Sequence, residues 1–368
     1  VDMLRSGTDV MLSGGLSNWI PQDANKQDSS IYQELAQMTE GAMKIVSKRK
    51  DQRNLLKEAQ AQGYALAFTK AQLEKVDGKV LGLFASFSLD YGIKSARMKN
   101  DPARTMPSLK EMSVKALELL AKNEKGFFLM IEAGQIDWAG HGNDTGTMLH
   151  ELLNLNETLE YILNWTAQRD DTLLIVTADH ETGGFSFSYS VNNLPEPVIL
   201  SGSLFKEKNF QPNFNFGKPE ILDNLYRQKL SYGEIFKQFD ELSATEQTPA
   251  NLAELVNKNT EFKITETQAA KILATKENPY YIKDHKSLSM KTIPKIDVNE
   301  AFFISNKRRA RQNLLAIEVA TQQNVVWATG THTAAPVLVF AYGPGKDNFG
   351  RIMHHTELGR YAIKALLN

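Results

Sequence analysis

Leu173-Leu-Ile-Val-Thr-Ala-Asp179-His180-Glu-Thr-Gly-Gly184 is a short, continuous apolar run that stops abruptly in charge and then in glycine. A run of this length with no alternation reads as a strand buried on both faces, the kind found in parallel sheets. The two glycines let the backbone turn sharply just past the charged pair. Upstream, Phe127-Phe-Leu-Met-Ile-Glu132-Ala-Gly-Gln-Ile-Asp137-Trp-Ala-Gly-His141 repeats the pattern: a strand ends in Glu132, and a turn with two glycines presents Asp137 and His141 four residues apart. Downstream, Gly330-Thr-His332-Thr stands just before another apolar run, 337–342. In open α/β sheets, ligands gather outside the carboxyl ends of the strands, which is where these charged residues fall.

The same alternation extends outward. Further strands are expected at 9–12, 64–68, 80–85, 126–131, 172–177 and 337–342, with amphipathic helices between them. Ser108 and Glu111 make a capping box ahead of a face formed by Leu109, Met112, Ala116, Leu119 and Leu120. A second helix is expected over 144–168, with Met148, Leu152, Leu155, Leu159 and Ile162 inward, and a last one starts near Thr356. The stretch 194–324 is different: rich in Lys, Asn, Gln and Glu, with scattered aromatics (Phe205, Phe210, Phe214, Phe216, Phe236, Phe239) and short helices near 231–239, 249–258 and 266–274. The reading is an α/β protein, a three-layer sandwich with a largely parallel central sheet, in which 1–190 and 325–368 form the core and 191–324 is a large insertion.

Composition narrows the chemistry. The 368 residues carry a net charge of -1, which leaves no electrostatic footprint for nucleic acid or an anionic membrane surface. Cysteine is absent, which excludes disulfides, thiolate nucleophiles and Cys-ligated metals. No apolar run approaches the roughly 20 residues of a membrane-spanning helix. No signal peptide is visible, and the chain starts with Val1, so a segment upstream of it is expected to have been removed or left out.

Carboxylate and imidazole without thiol are the ligand set of Zn²⁺ and Mg²⁺ in hydrolytic sites. One histidine after a strand is more often a cap or a surface residue, and an Asp-His pair can be turn chemistry alone. Three charge-terminated strands together favour a metal site. The other histidines receive no role: His150 reads as a partly buried helix residue, His285 as exposed, and His354 and His355 as part of the turn into the last helix.

Taken together, these motifs resemble the alkaline phosphatase family. Glu132, Asp137 and His141 keep that family's spacing, Thr177-Ala-Asp179-His180 matches its strand-closing run, and His332-Thr333 precedes a strand ending in Ala341-Tyr342-Gly343, as in the family. The likeness covers Val1 to about Gly184 and Asn324 onward. It implies that Asp137, His141 and His332 bind a first zinc, that Asp179 and His180 bind a second, and that Glu132 binds magnesium. Trp138 stands where other members carry Lys or His beside the phosphate. The long separation of His180 and His332 resembles the marine bacterial branch, where such an insertion embraces the partner of a homodimer. A periplasmic or secreted location is implied on the same ground.

The resemblance also implies phosphomonoester hydrolysis through a phosphoserine. The family's nucleophilic serine lies in an Asp-Ser-Ala-type run upstream of every motif found here, and no such run is present. Asp28-Ser29-Ser30 is the nearest imitation and reads as a helix cap. The expectation is that the catalytic serine, the first bridging Asp, a magnesium-binding Thr and a phosphate-clamping Arg lie outside this sequence. Two other readings stand beside it: a catalytically incomplete metal-binding fragment, and a phosphodiesterase or sulfatase relative.

Overall fold

The structure is a computed structural model, described here for residues 1–286, 288–304 and 306–367. The chain divides into two compact units: one of Val1–Ala133, Leu153–Val176 and Val339–Asn368, the other of Gly134–Leu152 and Thr177–Leu338.

The first unit is built around a parallel three-stranded sheet. Val80–Leu83 lies in the middle, pairing with Val10–Ser13 on one side and Ala65–Ala67 on the other. The period-2 geometry of a strand sends its side chains to both faces, and both are covered. Met11, Leu66, Leu81 and Leu83 enter one core with Leu35 of the helix Ser30–Met38 and Leu55, Leu56 and Ala59 of the helix Leu55–Ala61. Val10, Leu12, Ala67 and Val80 enter another with Leu73 of Lys70–Lys75 and Met112 and Leu119 of Leu109–Leu120. Helix, sheet and helix make three layers, as the sequence led us to expect. The capping box forms as read: Ser108 Oγ accepts from Glu111 N, and Glu111 Oε2 accepts from Ser108 N. Ser29 caps Ser30–Met38 by accepting from Tyr32 N.

Two expectations are corrected. The stretch 126–131 joins no strand ladder among the described residues. Phe127, Leu129 and Ile131 are half-buried while Phe128 and Met130 are exposed, so exposure alternates as in a strand although no ladder forms there among the described residues. Leu174–Thr177 joins Val339–Tyr342 in a separate two-stranded sheet, and several short two-stranded ladders are antiparallel. The helix Thr145–Thr166 forms, but it turns Thr147, His150, Glu151, Thr158, Ile162 and Thr166 inward and leaves Leu152 exposed.

The second unit has a helical core of its own. Tyr232–Glu241, Pro249–Asn259 and Glu266–Leu273 appear where the sequence placed them, each started by a Ser or Thr cap. A longer helix, Lys307–Gln323, was not foreseen. Phe236, Phe239, Leu252, Val256 and Ile272 pack with Leu315, Ala316 and Val319 of that helix. The aromatics of the region therefore separate: Phe236 and Phe239 are buried, whereas Phe205, Phe210, Phe214 and Phe216 face outward.

Candidate metal centre

The stretch read as a glycine-bearing turn is a helix, Gln135–His141. Positions four apart on a helix lie one above the other, so Asp137 and His141 share a face. Asn143 then takes a left-handed conformation, φ 51°, and donates from Nδ2 to the carbonyls of Gly140 and Thr329. Asn313 of the long helix donates to His141 O and to Asn143 Oδ1. This buried polar network fixes the end of the short helix against the segment that carries His332.

A two-residue antiparallel ladder brings the other motifs in. Glu181–Thr182 pairs with His332–Thr333, setting His332 opposite Thr182 and Thr333 opposite Glu181. Glu181 braces the ladder: its carboxylate accepts from Gly184 N at 2.9 and 3.0 Å and from the hydroxyl of Thr333. Gly183 makes the turn at φ 94°, where a Cβ would meet the Trp327 ring at 2.5 Å. Only glycine meets both demands.

The resulting geometry gathers three donors. His141 Nδ1 lies 2.8 Å from Gly330 O, an acceptor only, so Nδ1 holds the proton and Nε2 presents a lone pair. His332 Nε2 is 3.1 Å from His141 Nε2. Asp137 places Oδ2 at 3.5 Å from His141 Nε2 and Oδ1 at 3.5 Å from His332 Nε2. One ligand atom from each of the three residues falls within 4.8 Å of the others. Tetrahedral ligands on zinc stand roughly 3.3 Å apart, close to this spacing, and two imidazoles with one carboxylate are a catalytic zinc set that leaves a position open. Two imidazole nitrogens and a carboxylate converging at this spacing make a donor set that fits the metal.

His180 stacks against His332 with ring centroids 3.5 Å apart, and its Nε2 is 3.2 Å from Asp179 Oδ2. Asp179 is exposed and His180 half-buried, giving a second, two-donor pair. Trp138 is also exposed, on the helix that carries Asp137. Glu132 is exposed at the end of the unpaired stretch and belongs to the first unit, whereas the other five proposed ligands belong to the second.

Of the other histidines, His150 is buried, with Nε2 at 2.9 Å from Tyr226 O, and His285 is exposed. His354 and His355 lie at the start of the last helix, His355–Leu367. Sequence reasoning missed Thr182, whose Oγ1 donates to Asp137 Oδ1 at 2.6 Å. It lies inside the quoted Asp179–Gly184 run, but nothing local marks a partner 45 positions away.

The family model described as alkaline phosphatase matches residues 2–367, running through the stretch 185–323 in which no motif was recognisable. The chain is 29% identical over 327 residues to alkaline phosphatase 4 of Bacillus subtilis (strain 168), covering 89% of this chain and 56% of that protein. It is 30% identical over 320 residues to alkaline phosphatase 3 of the same organism, covering 86% and 55%. It therefore spans little more than half the length of these curated relatives. In fold it resembles the crystal structure of Thermus thermophilus alkaline phosphatase, with TM-score 0.67 and 23% identity over 99% of this chain and 63% of that one. The cold-active alkaline phosphatase of a psychrophilic Shewanella sp. gives 0.61 and 24%, over 99% and 67%. With a family match from one end to the other and its three motifs drawn together around one cluster of donors, the chain belongs to the alkaline phosphatase family.

Proposed function

We propose that the protein takes part in hydrolysis of small phosphomonoesters through a phosphoserine intermediate, at a site holding two zinc ions and one magnesium. The observation that carries this reading is the convergence of Asp137, His141 and His332 on one point. These three would hold the first zinc, Asp179 and His180 the second, and Glu132 the magnesium. Bound there, the metals would supply Lewis-acid stabilisation of the phosphoryl oxygens and a lowered pKa for an attacking oxygen.

The chain's own residues prepare that chemistry. Gly330 O fixes the His141 tautomer so that Nε2 faces the cluster. Asn313 and Asn143 hold the carbonyl end of the His141 helix in place. Because the donors address charge and not the alcohol portion of a substrate, broad acceptance of phosphomonoesters follows. The serine is assigned to no residue of this sequence. Ser29 Oγ sits 2.7 Å from Lys26 O and 2.9 Å from Asp23 O and accepts from Tyr32 N, so its hydrogen-bonding capacity is taken up as a cap. We further place residues 191–324 at a homodimer interface and the protein in the periplasm or outside the cell, both on the family likeness.

The test restores zinc and magnesium to EDTA-treated full-length protein, in which the serine that this sequence lacks is expected to be present. It then compares p-nitrophenyl phosphate with the bis-ester and with p-nitrophenyl sulfate, and follows zinc uptake in parallel. Preference for the monoester supports the reading. Faster diester or sulfate turnover overturns it, as does failure to take up zinc. Zinc uptake without turnover would favour the metal-binding fragment.

A further inference from the structure

We propose that Thr329 is a positioning residue for the first of the two zinc half-sites: its hydroxyl fixes the short turn that carries Gly330 and His332 to the cluster. This rests on reading Asp137, His141 and His332 as zinc ligands. Thr329 is only 5% exposed. A threonine hydroxyl has one proton to give and two lone pairs. Thr329 Oγ1 is 2.8 Å from Phe302 O, which can only accept, so the proton goes there. Thr331 fills both lone pairs: its N donates at 3.0 Å, and its Oγ1, 2.8 Å away, gives its own proton. The bonding capacity of one buried oxygen is thus fully used, and it closes 329–331 into a turn held against Phe302.

The backbone of the turn is held from other sides. Gly330 N also donates to Phe302 O, at 3.0 Å, and Thr331 O accepts from Gly183 N at 2.9 Å. Thr329 O accepts from Asn143 Nδ2 at 3.0 Å. A Cβ at Gly330 would stand 2.7 Å from Asn313 Oδ1, so the turn lies directly on the long helix. Two parts of the centre depend on this placement. Gly330 O stands 2.8 Å from His141 Nδ1 and orients that ring, and His332 leaves the turn to reach Asp137. The Thr329 hydroxyl is a hold that a side-chain substitution can remove. Phe302 acts through its carbonyl, and its side chain is turned out, with the residue 57% exposed. The identity of residue 329 therefore matters to the metal, and that of residue 302 does not.

Thr329→Val keeps the shape and removes the hydroxyl, Thr329→Ser keeps the hydroxyl, and Phe302→Ala removes only the exposed ring. In the full-length protein, zinc titration against a chromophoric chelator reports affinity, with the first site identified as the step lost in Asp137→Ala. Co²⁺ in place of zinc reports ligand geometry through its visible absorption. Urea denaturation of the metal-free protein reports stability separately. Thr329→Val is expected to weaken first-site zinc by roughly 10–100-fold, the range for loss of a partner behind a ligand, and to change the Co²⁺ spectrum. Thr329→Ser is expected to restore both, and Phe302→Ala to leave both as they are, whatever either does to the urea midpoint. Should Thr329→Val not fold, Thr331→Val decides in its place: it takes one donor from the Thr329 hydroxyl and is expected to show the same changes in smaller degree. Unchanged affinity and spectrum in the deciding variant, no rescue by Ser, or an equal loss in Phe302→Ala overturns the proposal and leaves the zinc reading standing. No zinc uptake by the unsubstituted protein overturns that reading, and the proposal with it.

Discussion

His332 lies flat against His180, the ring centroids 3.5 Å apart and the planes inclined by 20°. The same imidazole brings Nε2 to 3.1 Å from His141 Nε2, so one side chain forms a wall of both half-sites. His332→Ala is therefore expected to do more than remove a first-site ligand. Zinc affinity there should fall beyond the roughly 10–100-fold that outer-shell losses cost, and the second site should weaken as His180 loses its stacking partner. Elemental analysis after dialysis checks this; zinc content equal to that of the unsubstituted protein would refute it.

Glu132→Gln is expected to leave zinc binding intact and to weaken magnesium, because Mg²⁺ depends on hard, charged oxygen. The measurement is the magnesium dependence of the rate at saturating zinc. An unchanged dependence removes Glu132 from the magnesium site.

Gly183→Ala adds a methyl at a positive φ, aimed at the Trp327 ring. The expected cost is about 1–3 kcal/mol from backbone strain alone. Because the turn sets the Thr182–His332 ladder, zinc affinity should fall as well. Urea denaturation with parallel zinc titration tests both; an unmoved midpoint with unmoved affinity counts against the clash.

Glu111 supplies a pH test in the first unit. Partial burial works against its charge, but hydrogen bonds from Arg104 and Lys70 outweigh that and hold its carboxyl well below the usual carboxylate range. A folded-state pKa below the unfolded one contributes stability above the unfolded value, and that stability is lost as pH falls toward the folded one. Glu111→Gln should therefore cost about 1–3 kcal/mol at pH 7, with the gap to the parent closing as the pH falls below about 4.5. Denaturation series from pH 7 to pH 3 measure it. A gap independent of pH would show that the charge is not what matters.

The segment 187–217 bears Tyr189, Ile199, Leu204, Phe205 and Phe216 on its surface. If 191–324 forms the homodimer interface, replacing Ile199, Leu204 and Phe216 with Ser should shift the mass by light scattering from dimer to monomer without unfolding the helical core. A dimer that survives the triple substitution refutes this location.

What the sequence disclosed follows the range of the interactions involved. Ser108 with Glu111, and Ser29 with Tyr32, are settled within three residues, and both were legible. The continuous apolar run at Val80–Leu83 was legible because both faces of the sheet are covered. The stretch 126–131 was not, because pairing needs a second strand that local pattern does not contain. Lys307–Gln323 escaped notice because its Lys-Arg-Arg start reads as a solvated charge run while Ala310, Leu315, Ala316 and Val319 face the core. The ligand set came through resemblance to a family and not through spacing alone. Thr182 and Gly330 act across 45 and 189 positions, beyond any window of local reading.

The Glu181–Thr333 contact closes a loop whose ends are 152 positions apart. The entropy of closing a flexible loop grows only logarithmically, so doubling its length adds only about 0.6 kcal/mol. The cost of bringing the two edges of the centre together is thus almost insensitive to how much chain is strung between them. Residues can be added to or removed from exposed loops of that span at little expense to assembly of the centre, which leaves the segment free to diverge in length and surface. By the same logic, the ion proposed for Asp137, His141 and His332 would act as a cross-link between positions 191 apart. Its removal should loosen the tertiary structure of the second unit while its helices, which depend on local caps and their own core, persist.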